Sequence, residues 1–259
     1  MKGFWPVFKK ELYAMFMSPI FYAVAFFFLL LSGVFFYLIL RQVIMFSYQV
    51  AQNPAIAGNV TMPELFMRSF LWNISVITLF VAPLLTMRLY AEERKSGTLE
   101  LLYTYPVSDL ATVAAKFSAC MTTYTILIAA TLPGVIMLIS IADSSWKPIL
   151  CGYAGLLLLG SAFISLGTFA STLTKNQIIS AIITFGILLV LWFIGEAKEV
   201  VSPPAVASVF AYLSVSDHLK GLVKGLLDSR DIVFYLVFTA FFLFLTLRQM
   251  SSYRWRAMV

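Results

Sequence analysis

The chain has 259 residues, 61% of them hydrophobic and 12% charged, with 18 Lys or Arg against 12 Asp or Glu. Soluble domains hold about 45–50% apolar and about 25% charged residues, so this composition excludes a conventional soluble domain and a disordered chain. It fits a polytopic membrane protein whose apolar surface is hidden by lipid.

Residues 4–17 place Phe4, Val7, Phe8, Leu12 and Phe16 near helical spacing, with Lys9, Lys10 and Glu11 largely off that stripe. Pro6 suits a first helical turn. The pattern predicts a helix lying in the membrane interface. Ser18-Pro19 then turns the chain into the first of six apolar runs. These runs fall at about 20–40, 70–87, 117–141, 149–172, 178–194 and 232–247. Each is close to the roughly 20 residues that cross the hydrocarbon as a helix. A transmembrane barrel would instead alternate over segments of about ten residues, and lipid leaves a spanning backbone no bonding partner but itself. The first run is read as a span, being too long for a signal-peptide core.

Between the first two spans, 41–69 reads as an external loop, with turn signals at Asn53-Pro54, Gly58 and Met62-Pro63. The next loop, 88–116, holds Arg88, Glu92, Glu93, Arg94, Lys95, Glu100, Asp109 and Lys116. Gly97-Thr98 reads as a helix break and cap, opening a short helix over 99–104. Pro106 ends that helix and Ser108 caps the next. Two readings stay open for this loop: a solvated connection, or a docking platform. Leu99, Leu101 and Leu102 need cover, which leans towards docking. Pro133-Gly134 predicts a kink in the third span. Gly152, Gly155, Gly160 and Gly167 stud the fourth and permit close helix contacts. Residues 195–231, split by Pro203-Pro204, predict one or two short helices, interfacial or re-entrant, with Val209, Phe210, Leu213, Leu219, Leu222, Val223 and Leu226 as their apolar faces. His218, beside Asp217, reads as a polar residue on a surface helix. Cys120 and Cys151 fall inside helices and read as small hydrophobes.

With six spans, both termini share a side. That side carries eleven Lys and Arg and the other seven, so the positive-inside rule makes it cytoplasmic. The basic residues are spread over helix ends rather than gathered in a patch, so no nucleic-acid partner is expected. The sequence has no GxxxxGK[ST] stretch, HExxH, Cys/His cluster or Ser/His/Asp arrangement. No metal site, catalytic site or ATP-binding P-loop is therefore expected in the chain itself. Arg68, Arg88 and Lys116 sit near predicted span ends. A proton- or sodium-driven carrier often needs a charge or broken helix at mid-depth, so the energy source is expected outside the membrane part.

The stretch Glu92-Glu93-Arg94-Lys95-Ser96-Gly97-Thr98-Leu99-Glu100-Leu101-Leu102, followed by Pro106-Val107-Ser108-Asp109 and Lys116-Phe117, resembles the permease subunits of ABC-2-type transporters. Phe8-Lys9-Lys10-Glu11-Leu12 with Ser18-Pro19 is similar to the family's opening. His218-Leu219, Gly225, Asp228, Arg230-Asp231 and Leu243-Phe244-Leu245-Thr246 are similar to its last loop and helix. Within the family, the sequence most resembles the gliding-motility-associated and nitrous-oxide-reductase-maturation type. The one departure is Tyr105, where the family usually has Thr or Ser before the proline.

The resemblance implies an all-α permease domain over 1–259, with an N-terminal interfacial helix, six spans and short external helices before the last span. It implies a dimer, with a second copy or a related permease, in a bacterial inner membrane. It also implies two copies of a separate cytoplasmic ABC ATPase, which would hold the ATP and Mg. A coupling helix at about 91–103 would meet that ATPase through Glu92, Glu93, Arg94, Gly97, Thr98, Leu99, Glu100 and Leu102. Lys10, Glu11, Pro19, Pro106, Asp109, Lys116, Asp228 and Asp231 are the other motif positions. The implied function is ATP-driven export, the chain itself being no enzyme. The alternative is a non-exporting membrane subunit that passes ATPase-driven movement to an envelope machine.

Overall fold

In the computed structural model, residues 3–53, 61–98, 107–142, 146–197, 210 and 212–257 are described. Among them all regular structure is helical: α1 (Phe4–Phe16), α2 (Pro19–Gln52), α3 (Met62–Thr86), α4 (Ala91–Ser96), α5 (Asp109–Ala129), α6 (Leu132–Ala142), α7 (Lys147–Leu173), α8 (Gln177–Ala197), α9 (Val215–Val223) and α10 (Ser229–Ala257). Six stretches are long and apolar enough to cross a membrane: Pro19–Gln52, Met62–Ser96, Asp109–Ile141, Lys147–Leu173, Gln177–Gly195 and Ser229–Tyr253. The chain is an all-α polytopic membrane protein. The end of the bundle that carries α1 and α4 is called the near end below, and the opposite end the far end.

The helices run past the apolar cores expected of them. Most of the expected loop 41–69 is helix: α2 continues to Gln52 and α3 begins at Met62. Arg41 and Gln42 are good helix formers and do not stop α2. Pro63 lies in the first turn of α3, where its missing N–H costs nothing, so Met62-Pro63 opens a helix rather than making a turn. At about 1.5 Å per residue, the 34 residues of α2 reach well beyond the hydrocarbon, which is about 30 Å thick. The Asn53-Pro54 and Gly58 turn signals lie wholly or partly outside the described residues. The third span breaks between α5 and α6 at Ala130-Thr131, just ahead of Pro133, whose ring crowds the carbonyl four residues back. Ser108 caps α5 by accepting from the Ala111 N–H at 3.2 Å, so this helix starts eight residues before its apolar run.

The bundle is organised around α7. It packs on α3, α4, α5, α8, α9 and α10, and its contact with α10 is the largest between any two helices. Small residues make this crowding possible. A Cβ on Gly160 would lie 2.1 Å from the Tyr124 ring of α5, and one on Gly167 would lie 2.1 Å from the Thr86 hydroxyl of α3. Most buried hydroxyls are satisfied locally or across helices, Ser180 being an exception. Thr78 and Thr168 back-bond to carbonyls four residues earlier, and the Tyr124 hydroxyl donates to the Leu156 carbonyl at 2.9 Å. α2, by contrast, exposes Phe26, Phe27, Leu30, Tyr37 and Leu38 along its length.

The glycine pockets generate a matched test. Gly160→Ala drives a methyl into the Tyr124 ring, and overpacking costs about 1–3 kcal/mol. At about 2–4 °C per kcal/mol for a chain of this size, the detergent-solubilised protein should melt several degrees lower. Gly186 has nothing within 4 Å of a Cβ, so Gly186→Ala should not lower the melting temperature. Tryptophan-fluorescence melts of the two variants check both.

Candidate functional site

The near end is built around one buried amine. Lys116 of α5 is wholly buried. Its ammonium donates to Glu11 Oε1 and to the Leu89 carbonyl, both at 2.8 Å, and forms an ion pair with Glu93 Oε2 at 3.0 Å. The amine also lies 5.0 Å from the Tyr90 ring centroid. The second Glu93 oxygen takes Lys10 of α1 at 2.7 Å, and Lys10 sits 3.4 Å from Glu11. Two lysines and two glutamates thus form a neutral quartet joining α1, α4 and α5. Burial works to lower the pKa of Lys10. The hydrogen bond to Glu93 and the charges of Glu93 and Glu11 outweigh it and raise that pKa above the ordinary lysine value. This interaction is therefore complete below the ordinary lysine pKa and is lost only as pH rises through the higher folded value.

The quartet corrects the expected orientation of α1. Val7, Glu11 and Met15 form its buried stripe, while Phe4, Phe8, Leu12 and Phe16 are only half-buried. Glu11, expected largely off the apolar stripe, is at the centre of the buried face because Lys116 requires it there. α1 is docked on α5. Its outward side still carries Trp5 and Tyr13, with Phe8 stacked on Phe4 and Trp5. Arg88, after α3, fastens the end of α1 by donating to the Ala14 carbonyl at 2.8 Å and to the Ser18 hydroxyl.

α4 is a six-residue helix, too short to stand alone. No side chain of its own caps its N-terminus. The Ser171 hydroxyl of α7 does so, accepting from the Tyr90 and Ala91 N–H groups at 3.0 and 3.1 Å and donating to the Met87 carbonyl at 3.2 Å. Arg94 donates to the Thr172 carbonyl at the end of α7 and lies 4.3 Å from the Tyr253 ring centroid of α10. α4 ends at Gly97, whose φ of 73° is the left-handed conformation that glycine adopts without strain. A cavity of about 250 Å³ opens between α1 and α4, lined by Lys10, Arg88, Glu92, Glu93, Ser96 and Thr98 among others.

The expected site residues therefore divide. Lys10, Glu11, Glu93 and Lys116 come together. Glu93 and Arg94 turn into the bundle. Glu92 is exposed, as are Lys95, Ser96, Gly97 and Thr98. Leu99, Glu100, Leu102 and Pro106 lie outside the described residues, as does the short helix expected over 99–104. Pro19 opens α2 and Asp109 opens α5. Ser171, Arg88 and Tyr253 were not legible as site residues. Each acts through a backbone carbonyl, a hydroxyl or a ring; Ser171 and Tyr253 belong to no charged or motif-like cluster, and Arg88 stood out only as one charge among the eight of its loop.

Asp228 and Asp231 sit at the far end, away from the quartet. Asp228 caps α10 by accepting from the Arg230 N–H at 2.9 Å. Asp231 corrects the expectation for His218, which is not a free surface residue. The His218 Nδ1 lies 2.7 Å from Asp231 Oδ1, its Nε2 lies 3.1 Å from the Tyr212 carbonyl, and its ring stacks on Phe234 with centroids 4.0 Å apart. α9 is packed against protein, with Val215, Ser216, Leu219, Leu222 and Val223 buried against α3, α7, α8 and α10. Leu213 and Leu226, expected on its apolar face, are exposed, and Val209 lies outside the described residues. Cys120 is buried, Cys151 half-buried, and both are free thiols. Among the described residues no cluster of three or more His, Cys, Asp or Glu is placed to hold a metal.

These features define a multi-pass helical membrane protein with a short helix clamped at one end of its bundle. The profile of the ABC-2 family transporter protein matches residues 5–248, and the chain belongs to that family. It is thus a permease subunit of an ABC transporter, a membrane component of a class that generally works with a cytoplasmic ABC ATPase. Among curated proteins, none matches the chain.

The quartet predicts an asymmetric mutational response. Lys116→Met leaves two buried carboxylates with only the exposed Lys10 between them, and breaking a buried pair in this way costs about 3–5 kcal/mol. Glu11→Gln should cost less, because Lys116 keeps Glu93 and the Leu89 carbonyl. Adding Glu11→Gln to Lys116→Met should recover part of the loss, and denaturant titrations of the three variants measure that coupling.

Proposed function

We propose that the chain is the membrane subunit of an ATP-driven exporter, with its near end cytoplasmic, in a bacterial inner membrane. Two copies of a separate ATPase dock at the near end, and the permease pairs with a second copy or a related chain. The gliding-motility-associated and nitrous-oxide-reductase-maturation type is the nearest subtype. α4 and the stretch after it form the coupling element. One observation carries this reading: α4 is fixed on its inner side by Glu93, Arg94 and Ser171, and it presents Glu92, Lys95, Ser96, Gly97 and Thr98 outward. A surface held this firmly can pass on a push, because it does not yield locally. ATP-driven closure of the ATPase dimer would move α4, and the quartet would carry α1 and α5 with it. Glu92 would pair with a basic group on the ATPase.

Purification of the tagged protein in mild detergent or nanodiscs tests the reading. A P-loop ATPase should co-purify at one copy per permease and hydrolyse ATP. Gly97→Val puts a β-branched residue at a positive φ, at a cost of about 1–2 kcal/mol, and should weaken ATPase retention about tenfold. Gly97→Asn, which tolerates that conformation, should retain it. A stable complex without any ATPase would overturn the assignment.

A further inference from the structure

α4 touches more than the quartet. It also packs against α8, and its remaining polar and ring contacts lead to two helices, α7 and α10. Ser171 of α7 holds the α4 N-terminus, and Arg94 of α4 reaches both the Thr172 carbonyl of α7 and the Tyr253 ring of α10. The Tyr253 hydroxyl also donates to the Thr172 carbonyl at 3.4 Å. α4 therefore bridges α7 and α10 at the near end.

α9 bridges the same two helices at the far end. Against α7, a Cβ on Gly155 would lie only 2.9 Å from the Leu222 Cβ, so α9 sits directly on the helix backbone. Against α10, His218 pairs with Asp231 at 2.7 Å and the Tyr235 hydroxyl donates to the Val215 carbonyl at 2.8 Å. Between the two bridges, α7 and α10 make the largest interhelical contact among the described residues, crossed by Ser161 and Thr239 hydroxyls 3.0 Å apart. Gly155 and Ser171 are about 24 Å apart at about 1.5 Å per residue.

We propose that α7 and α10 form a strut clamped at both ends by short helices, and that Ser171 is the positioning residue tying α4 to it. Displacing α4 changes how α7 and α10 meet at the near end. A closely packed helix pair shifts as a unit rather than bending. The change is therefore felt by α9, which spans the same pair at the far end. The role in coupling rests on the exporter reading, but the mechanical link does not.

Hydrogen exchange of the purified protein in nanodiscs, read by mass spectrometry, separates the two. Ser171→Ala removes the acceptor for two α4 amides and the donor to Met87. Exchange should rise about tenfold over 87–96 and also over 215–223. It should stay unchanged over the buried part of α5, which α4 reaches through Glu93 instead. Ser171→Thr keeps the hydroxyl and should restore wild-type exchange at both ends. A rise confined to 87–96 would overturn the strut. So would a uniform rise over all helices, which signals general destabilisation. Adding a co-purified ATPase and a non-hydrolysable nucleotide should change protection at both ends of the wild type and only at α4 in Ser171→Ala. If no ATPase co-purifies, the exporter reading fails, while the comparison in the permease alone still decides the strut.

Discussion

A buried ammonium must find acceptors and counter-charges, and that requirement organises the near end of this protein. Lys116 has no access to water. Stranding its charge in a low-dielectric interior would cost several kcal/mol. It is answered by Glu11 of α1 and, from the stretch 89–93 far along the chain, by the Leu89 carbonyl and Glu93. α1 cannot drift in the interface, because its Glu11 is committed. The turn after α3 cannot slide, because Leu89 is committed. α4 cannot rotate freely, because Glu93 is committed. Lys10 completes the set, so the quartet itself carries no net charge.

The membrane class and the spans were legible because hydropathy reports lipid exposure directly. Six apolar runs appear as six candidate spans. Helix ends were less legible. Arg41, Gln42 and the polar residues up to Gln52 are as compatible with helix as with loop, and only the structure shows that they continue α2. Patterning misled at α1 for a physical reason. A hydrophobic stripe marks the face that avoids water, and in a membrane that face can meet lipid as well as protein. The protein-facing side was marked instead by a carboxylate whose partner lies 105 residues away. Lys10, Glu11, Glu93 and Lys116 were visible singly as motif positions, but their meeting was not. His218 was misread for the same reason, since Asp231 reaches it only once α9 folds back on α10.

The bundle is uneven in a way that suits a transporter subunit. α3 and α7 are the buried helices, with two thirds of their apolar windows covered, whereas α2, α8 and α10 are mostly uncovered. The exposed helices face whatever surrounds the chain, lipid or partner. Their faces are aromatic and aliphatic, so they can slide against a similar surface with little penalty. The inner helices are joined by glycine contacts, buried hydroxyl bonds and ion pairs, all of which depend on fixed geometry. Movement is therefore expected between whole groups of helices rather than inside the α3–α7 core.

The spacing of residues on α4 gives the last step. Consecutive residues on a helix point about 100° apart, so Glu92 and Glu93 cannot share a face. Identical chemistry is thereby split into two tasks by one residue of register. Glu93 is spent on holding the helix to Lys116 and Lys10. Glu92 stays exposed, 3.9 Å from Arg88. On the proposed reading, a partner that competes for Glu92 engages a helix already fixed by Glu93 and Ser171, and the binding energy goes into displacing that helix rather than ordering it. A flexible loop carrying the same charges would absorb the push in its own backbone. On that reading, the clamp on α4 would be what allows a six-residue helix to act on a six-span bundle.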